Sequence, residues 1–366
     1  TLTLSGTGLE LLSNLSLSSN SAVTFDSYQP NDFNLVLSDN STGNISLGTI
    51  TLVSENIEVL GGTLSLAGGS VGANGLIEVG EQGNLSLQGN LAVAGTLDLN
   101  DGATINLANN ATANLSGGKL ELAGSHGLDG ITTDNNTTLQ INSSGSISRT
   151  DNGTSTVGNL VLSQAGSSSG VSFGVDNMSL TVGGTAPQFN DADITLNSAN
   201  LNFQNSPTFD NGSTLSVKNS GELILQSGVT ISDSSLDFTS STFKPSGTVS
   251  LTGSSHFTFD SGSSVMLEGD STLSQSGSVT WPSPDLNGNA LTLNVDNMTL
   301  NGAQSIGTGE SFISGSSNLY LNDNLTIDNG GILSSDNGSV TISSGLALNN
   351  GGTLSSGTGY LEIKEA

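Results

Sequence analysis

The chain has 366 residues, with 32 acidic against 5 basic side chains, a formal net charge of −27 and no cysteine. Gly, Ser, Thr and Asn make up just over half of it, and only 4% is aromatic. That balance excludes nucleic-acid binding, which needs clustered Lys and Arg, and it excludes Cys-ligated zinc, iron–sulfur and disulfide scaffolds.

The five cations (Lys119, Arg149, Lys218, Lys244 and Lys364) are scattered singly. With only His126 and His256, a histidine-rich metal site is also excluded. No apolar run approaches the roughly 18–20 residues of a membrane helix, so no membrane span is expected. The chain opens at Thr1 without a signal-peptide pattern and reads as a mature or internal piece of a longer product. Low aromatic and high Gly/Ser content would suit disorder. Against that stand the dense recurrence of Leu, Val and Ile and a total of only 6 prolines.

Along the chain the local pattern is apolar–polar–apolar, the period-2 signature of half-buried strands. It runs through Leu15-Ser16-Leu17, Leu64-Ser65-Leu66, Leu85-Ser86-Leu87, Leu97-Asp98-Leu99, Ile105-Asn106-Leu107, Leu120-Glu121-Leu122 and Leu291-Thr292-Leu293. Gly, Asn, Asp or Ser flank each triplet. No stretch carries helical spacing, so almost no α-helix is expected.

The strands recur. Leu325-Thr-Ile-Asp-Asn-Gly-Gly-Ile-Leu-Ser-Ser335 returns 21 residues later as Leu346-Ala-Leu-Asn-Asn-Gly-Gly-Thr-Leu-Ser-Ser356. A longer period lies on top. Val175-Asp-Asn-Met-Ser-Leu180 and Val295-Asp-Asn-Met-Thr-Leu300 stand 120 residues apart. Periods of this length mark repeat architectures. The expected fold is all-β: a right-handed parallel β-solenoid, or β-helix, with coils of 20–22 residues. It would form one continuous rod over 1–366, built of three repeats near 1–150, 151–278 and 279–366. Inward Leu, Val, Ile and Phe would stack into a narrow core, outward Ser, Thr and Asn into polar ladders, and Gly would turn the corners. A string of Ig-like sandwiches would instead show a period of about 90–100 residues and a core Trp or Tyr per domain. The segments Val23-Thr-Phe-Asp-Ser-Tyr-Gln-Pro-Asn-Asp32 and Val279-Thr-Trp-Pro-Ser-Pro-Asp-Leu-Asn-Gly288 read as loops at the seams between repeats.

No catalytic, cofactor-binding or metal residue is assigned. A lyase needs a cation beside carboxylates, and Arg149, next to Asp151 in a turn-like Ser-Arg-Thr-Asp-Asn-Gly, reads as a surface loop. A glycosidase needs paired carboxylates, but acidic residues stand singly apart from Asp191-x-Asp193, which reads as an exposed turn. His126 and His256 read as lone exposed histidines. The Asp-Asn-Gly turns at Asp151, Asp210, Asp328 and Asp336 could offer oxygen ligands to calcium, yet this dipeptide chemistry belongs first to turns. Asn-x-Ser/Thr at Asn14, Asn44, Asn84, Asn114, Asn177, Asn297 and Asn337 occurs little more often than composition dictates. The acidic balance keeps a repetitive chain soluble and apart from its neighbours.

Gly62-Thr-Leu-Ser-Leu66, Gly95-Thr-Leu-Asp-Leu99, Asn329-Gly-Gly-Ile-Leu333 and Asn350-Gly-Gly-Thr-Leu354 resemble the passenger regions of filamentous-haemagglutinin-like exoproteins and autotransporter adhesins. The resemblance is repeat-level and spans essentially the whole chain. It implies secretion across a Gram-negative envelope, display on the bacterial cell surface, and adhesion or biofilm roles. The absence of Cys suits a passenger that crosses the periplasm unfolded. The expected function is a non-enzymatic extracellular or cell-surface structural or adhesive solenoid, an adhesin stalk or matrix fibre component, with no cofactor. Its expected partners are itself or neighbouring repeats of a longer chain, and glycans or cell-surface receptors. A self-assembling filament or sheath subunit is the alternative, and a polysaccharide-active enzyme a third reading.

Overall fold

A computed structural model describes residues 35–37, 44–108, 111–162 and 170–364, and before them the backbone of Thr3–Gly6, Leu9–Glu10, Leu15–Leu17 and Ala22–Gln29. Among these residues every regular element is a strand and none is a helix. The strands are parallel and stack as a β-solenoid of about 15 turns, roughly 21 residues apart. The chain divides into two compact units, Thr1–Phe173 with Val182–Thr185, and Gly174–Thr181 with Ala186–Ala366.

In the first unit, one ladder pairs Asn56–Val71 with Leu76–Leu87, then Thr96–Leu99, Lys119–Leu122, Thr138–Ile141 and Asn159–Leu162. Its register stacks like on like. Ile57, Ile77, Leu97, Leu120 and Leu139 face one another across successive coils and are buried, as are Val59, Val79, Leu99, Leu122 and Ile141 two positions on, so the core is built of stacked aliphatic columns. The residues between them point outward, as strand alternation requires.

In the second unit, from Gln188 to Val265, each coil gives one strand to each of three ladders. One comprises Asp193–Asn197, Thr214–Lys218, Ser235–Thr239 and His256–Phe259. The next comprises Asn200–Phe203, Glu222–Leu225, Thr242–Lys244 and Ser264–Val265. The third runs from Gln188–Asn190 through Thr208–Asp210, Val229–Ser232 and Gly247–Thr252 to Ser271–Pro282 and Ala290–Asn301. Phenylalanine enters this core, with Phe189 and Phe209 stacked coil on coil at 4.9 Å between centroids.

One set of corners differs from the sequence expectation. Asn177, Ser198, Asn219 and Ser240 recur at one corner with φ of 52°, 50°, 54° and 49°. Here Asn and Ser, not Gly, take the left-handed conformation. Asn tolerates it through local hydrogen bonding, and stacking adds partners: Asn219 Nδ2 donates to Asn197 Oδ1 at 2.7 Å and Ser198 Oγ to the Asn219 carbonyl at 3.1 Å. Glycine is obligatory elsewhere. At Gly69 (φ 135°) a Cβ would stand 2.1 Å from the Ile50 carbonyl oxygen.

Each seam segment begins in a strand, and residues 283–288 of the second form the irregular turn that the sequence suggested. Residues 279–282 belong to the strand Ser271–Pro282, which pairs with Ala290–Asn301 across a register shift between Gln275 and Ser278. Trp281 points inward and is 1% exposed. Residues 23–29 lie in the strand Ala22–Gln29, paired with Asn44–Leu52, and their side chains lie outside the described residues.

Candidate functional site

Three features could carry chemistry. The first is a row of carboxylates in the first unit. Glu58, Glu78, Asp98 and Glu121 occupy successive coils in register, all half-buried. Adjacent members therefore sit about one strand spacing, ~4.8 Å, apart. Like charges directly opposite one another are destabilising. Two members have relief: Asn100 Nδ2 donates to Glu78 Oε1 at 3.1 Å, and Lys119 forms an ion pair with Glu121. Asp98, in the middle, is pushed up to about 6 by burial first and then by Glu121 and Glu78, with Lys119 pulling the other way. The sequence reading took the acidic residues as single. In fact the triplets Ile57-Glu-Val59, Ile77-Glu-Val79, Leu97-Asp-Leu99 and Leu120-Glu-Leu122 carried the signal, once laid one coil apart.

The second group comprises the residues singled out in the sequence. Arg149 lies in the turn that the sequence suggested, but its side chain is only 12% exposed. It grips Asp151 with two bonds, Nε to Oδ1 at 2.8 Å and Nη2 to Oδ2 at 2.9 Å, and its Nη1 donates to the Leu128 carbonyl at 3.2 Å. The guanidinium thus ties its turn to the coil before it, and it holds the Asp151 carboxyl well below the usual carboxylate range. His126 is not exposed either. It lies at an inward position opposite Ile147, 7% exposed, with Nε2 2.8 Å from the Ala123 carbonyl. His256 is exposed.

Asp191 stands exposed at a positive-φ corner, and the exposed Asp193 accepts from Thr214 Oγ1 at 2.5 Å. The other Asp-Asn-Gly carboxylates are engaged locally or by the next coil: Asp210 by the Asn211 N–H, Asp328 by Asn349 and Asp336 by Ser334. Among the described residues no three His, Asp or Glu side chains come together to hold a metal ion. Of the sequon asparagines, Asn84 and Asn297 spend their amide N–H on the ladders, donating to Thr63 Oγ1 at 3.4 Å and Ser278 Oγ at 3.2 Å. Asn14 lies outside the described side chains.

The third feature is a cavity in the second unit that the sequence did not suggest. The ladder through Asp193–Asn197, Thr214–Lys218 and Ser235–Thr239 ends at His256–Phe259. Residues 278–282 of the following coil pair instead with 297–301. In the preceding coil Leu236 and Phe238 are buried; their register partners Phe257 and Phe259 are only half-buried. Trp281 fills part of the break, with its ring edge-on to Phe243 at 6.0 Å and 88° and to Phe257 at 5.7 Å and 84°.

What remains open is a cavity of about 470 Å³, lined by Phe257, Phe259 and Trp281 and rimmed by Thr258, Asp260, Thr280 and Asn301. Asp260 is fixed: its Oδ1 accepts from the Ser240 N–H at 2.9 Å, the Gly262 N–H at 3.1 Å and Ser263 Oγ at 2.6 Å. These bonds, the Ser263 hydroxyl foremost, hold its carboxyl below the ordinary value. The indole N–H of Trp281 is buried without a hydrogen-bond partner, an arrangement that costs about 1–3 kcal/mol. Neither this cavity nor a second one of about 310 Å³ beside His126 contains a member of the carboxylate row.

The fold defines a parallel β-solenoid. Compared with known proteins, the chain matches no family model, no curated protein and no solved structure.

Proposed function

We propose that this chain is a non-enzymatic structural or adhesive β-solenoid of the extracellular space or bacterial cell surface, acting as an adhesin stalk or matrix fibre component. One observation carries the reading: the outward side chains are used to bond coil to coil. Ser278, Asn297, Asn318 and Ser339 form an unbroken row in which each member hydrogen-bonds the next. Asn84 and Asn106 do the same in the first unit, at 2.9 Å. Such rows are neutral and repetitive. They favour a spacer that holds its form over a reaction centre, where groups with unlike environments must converge. The net charge of −27 keeps copies apart.

Electron microscopy of the purified chain over a concentration series tests the reading. Discrete particles of constant dimensions are expected. Uniform fibres that lengthen with concentration would overturn the stalk in favour of a self-assembling filament subunit.

A further inference from the structure

We propose that the cavity beside Trp281 binds a neutral saccharide, with one sugar ring against the aromatic wall and its hydroxyls on Asp260 and Asn301. The assignment gives the adhesive reading its ligand class and rests on that reading. The volume of about 470 Å³ suits a small ligand. Phe257 and Phe259, alternate residues of one strand, lie nearly parallel at 6.0 Å and 27°. Their half-buried faces offer an apolar platform to the C–H face of a sugar ring.

The rim supplies the complementary polar groups. Three donors converge on Asp260 Oδ1, and the Ser240 hydroxyl also bonds the carboxylate, so the group is held in place with the second lone pair of Oδ2 as its remaining acceptor. Asn301 accepts from Asn322 Nδ2 through its own Oδ1, which leaves its amide N–H groups as donors. The hydroxyls of Thr258 and Thr280 are exposed beside them. Each sugar hydroxyl both donates and accepts, so a fixed acceptor and a free donor on one rim match a polyol.

Charge narrows the choice. Asp260 is the one charged residue lining the cavity, so phosphates, uronates and other anions are repelled. The break in the ladder also leaves a free strand edge at His256–Phe259, where an extended peptide could pair. The far wall, however, includes Pro282, which has no N–H to give to such a peptide.

Trp281 is the sole tryptophan, so its emission reports on this cavity alone. The full chain is titrated with cellobiose, lactose, mannobiose and chitobiose while Trp281 emission is followed. At least one sugar should give a saturable change with a dissociation constant in the millimolar range or tighter. Asp260→Asn should weaken it about 10-fold and Asn301→Ala about 3-fold, both variants staying folded with melting points lowered only by the local bonds they lose. Should Asp260→Asn fail to fold, the exposed Asn301→Ala carries the test.

A flat titration with all four sugars overturns the site. So does binding unchanged in the folded variants, or saturation by tetramethylammonium in place of sugar, which would mark a cation held on the rings. Cell adhesion that survives these variants removes this site from adhesion but leaves the adhesive reading standing. Saccharide binding without any adhesion does the reverse.

Discussion

Two outward rows show how stacking multiplies the character of a single residue. In the first unit the row is Glu58, Glu78, Asp98 and Glu121; in the second it is Ser278, Asn297, Asn318 and Ser339. Both lie on parallel strands with an aliphatic column beneath. The amide row gains at each step, since Asn318 Nδ2 donates to Asn297 Oδ1 at 3.1 Å and Ser339 Oγ donates to Asn318 Oδ1 at 2.6 Å. The acid row can only repel itself and borrow partners from outside, namely Asn100 and Lys119. A residue able both to donate and to accept suits a repeat that places it above and below itself. A carboxylate, which only accepts when ionised, does not.

The largest expected effect comes from moving a carboxylate one residue along the first unit's strand. Leu97 lies fully buried between Ile77 and Leu120, and Asp98 beside it is half-exposed. Leu97→Asp removes a packed side chain and buries a charge without a partner. We expect a loss on the order of 5 kcal/mol, read by chemical denaturation with circular dichroism. A melt matching the parent would show that the inward register is misassigned.

Next comes Asp98→Asn, which converts the middle of the acid row to the amide type. The folded-state pKa of Asp98 is raised from 3.8 to about 6, so between those values the folded chain holds a proton that the unfolded chain has released. This group therefore costs nothing below pH 3.8, takes stability away as pH rises toward 6, and costs its full amount above. Solvent at a half-exposed site screens part of the repulsion, leaving about 1–2 kcal/mol. Asp98→Asn should stabilise the chain by that amount at pH 8 and leave it unchanged near pH 3.5. An equal gain at both pH values would show that the acid row is not the cause.

The sequence was legible where structure depends on local alternation and on the coil period. The apolar–polar–apolar triplets and the 21-residue return of Leu325 onto Leu346 predicted the strands and the pairing that the fold shows. Features created by stacking were harder to see. Glu58 and Glu121 are 63 positions apart in sequence, and only the coil-by-coil register of 20, 20 and 23 residues sets them in one row. The cavity was hidden for a different reason. It exists because one ladder stops at His256–Phe259 while the chain continues, and no local pattern announces a missing hydrogen-bonded neighbour. The Trp and prolines of residues 279–284 did mark the place. They read as a loop because Pro and aromatic residues interrupt the Ser/Asn pattern, yet Trp281 lies inward, filling space that the missing ladder step leaves open.

The smallest effect tests the amide row from the opposite side. Asn318→Ala removes one donor and one acceptor from a half-buried ladder and should cost about 1 kcal/mol, the net worth of ordinary hydrogen bonds in partial contact with water. Asn318→Asp keeps the acceptor that Ser339 uses but sets a carboxylate against Asn297 Oδ1, whose donor is then gone. Its cost should be similar at neutral pH, with one difference from Asp98. Its ladder neighbours Asn297 and Ser339 carry no charge, so acid should relieve the variant only in the ordinary carboxylate range, near pH 4. Denaturation midpoints for the two variants at pH 4 and pH 7 separate the cases. If Asn318→Asp instead recovers near pH 6, burial in the ladder alone raises a carboxyl that far. Repulsion within the row would then be the lesser part of what distinguishes Asp98.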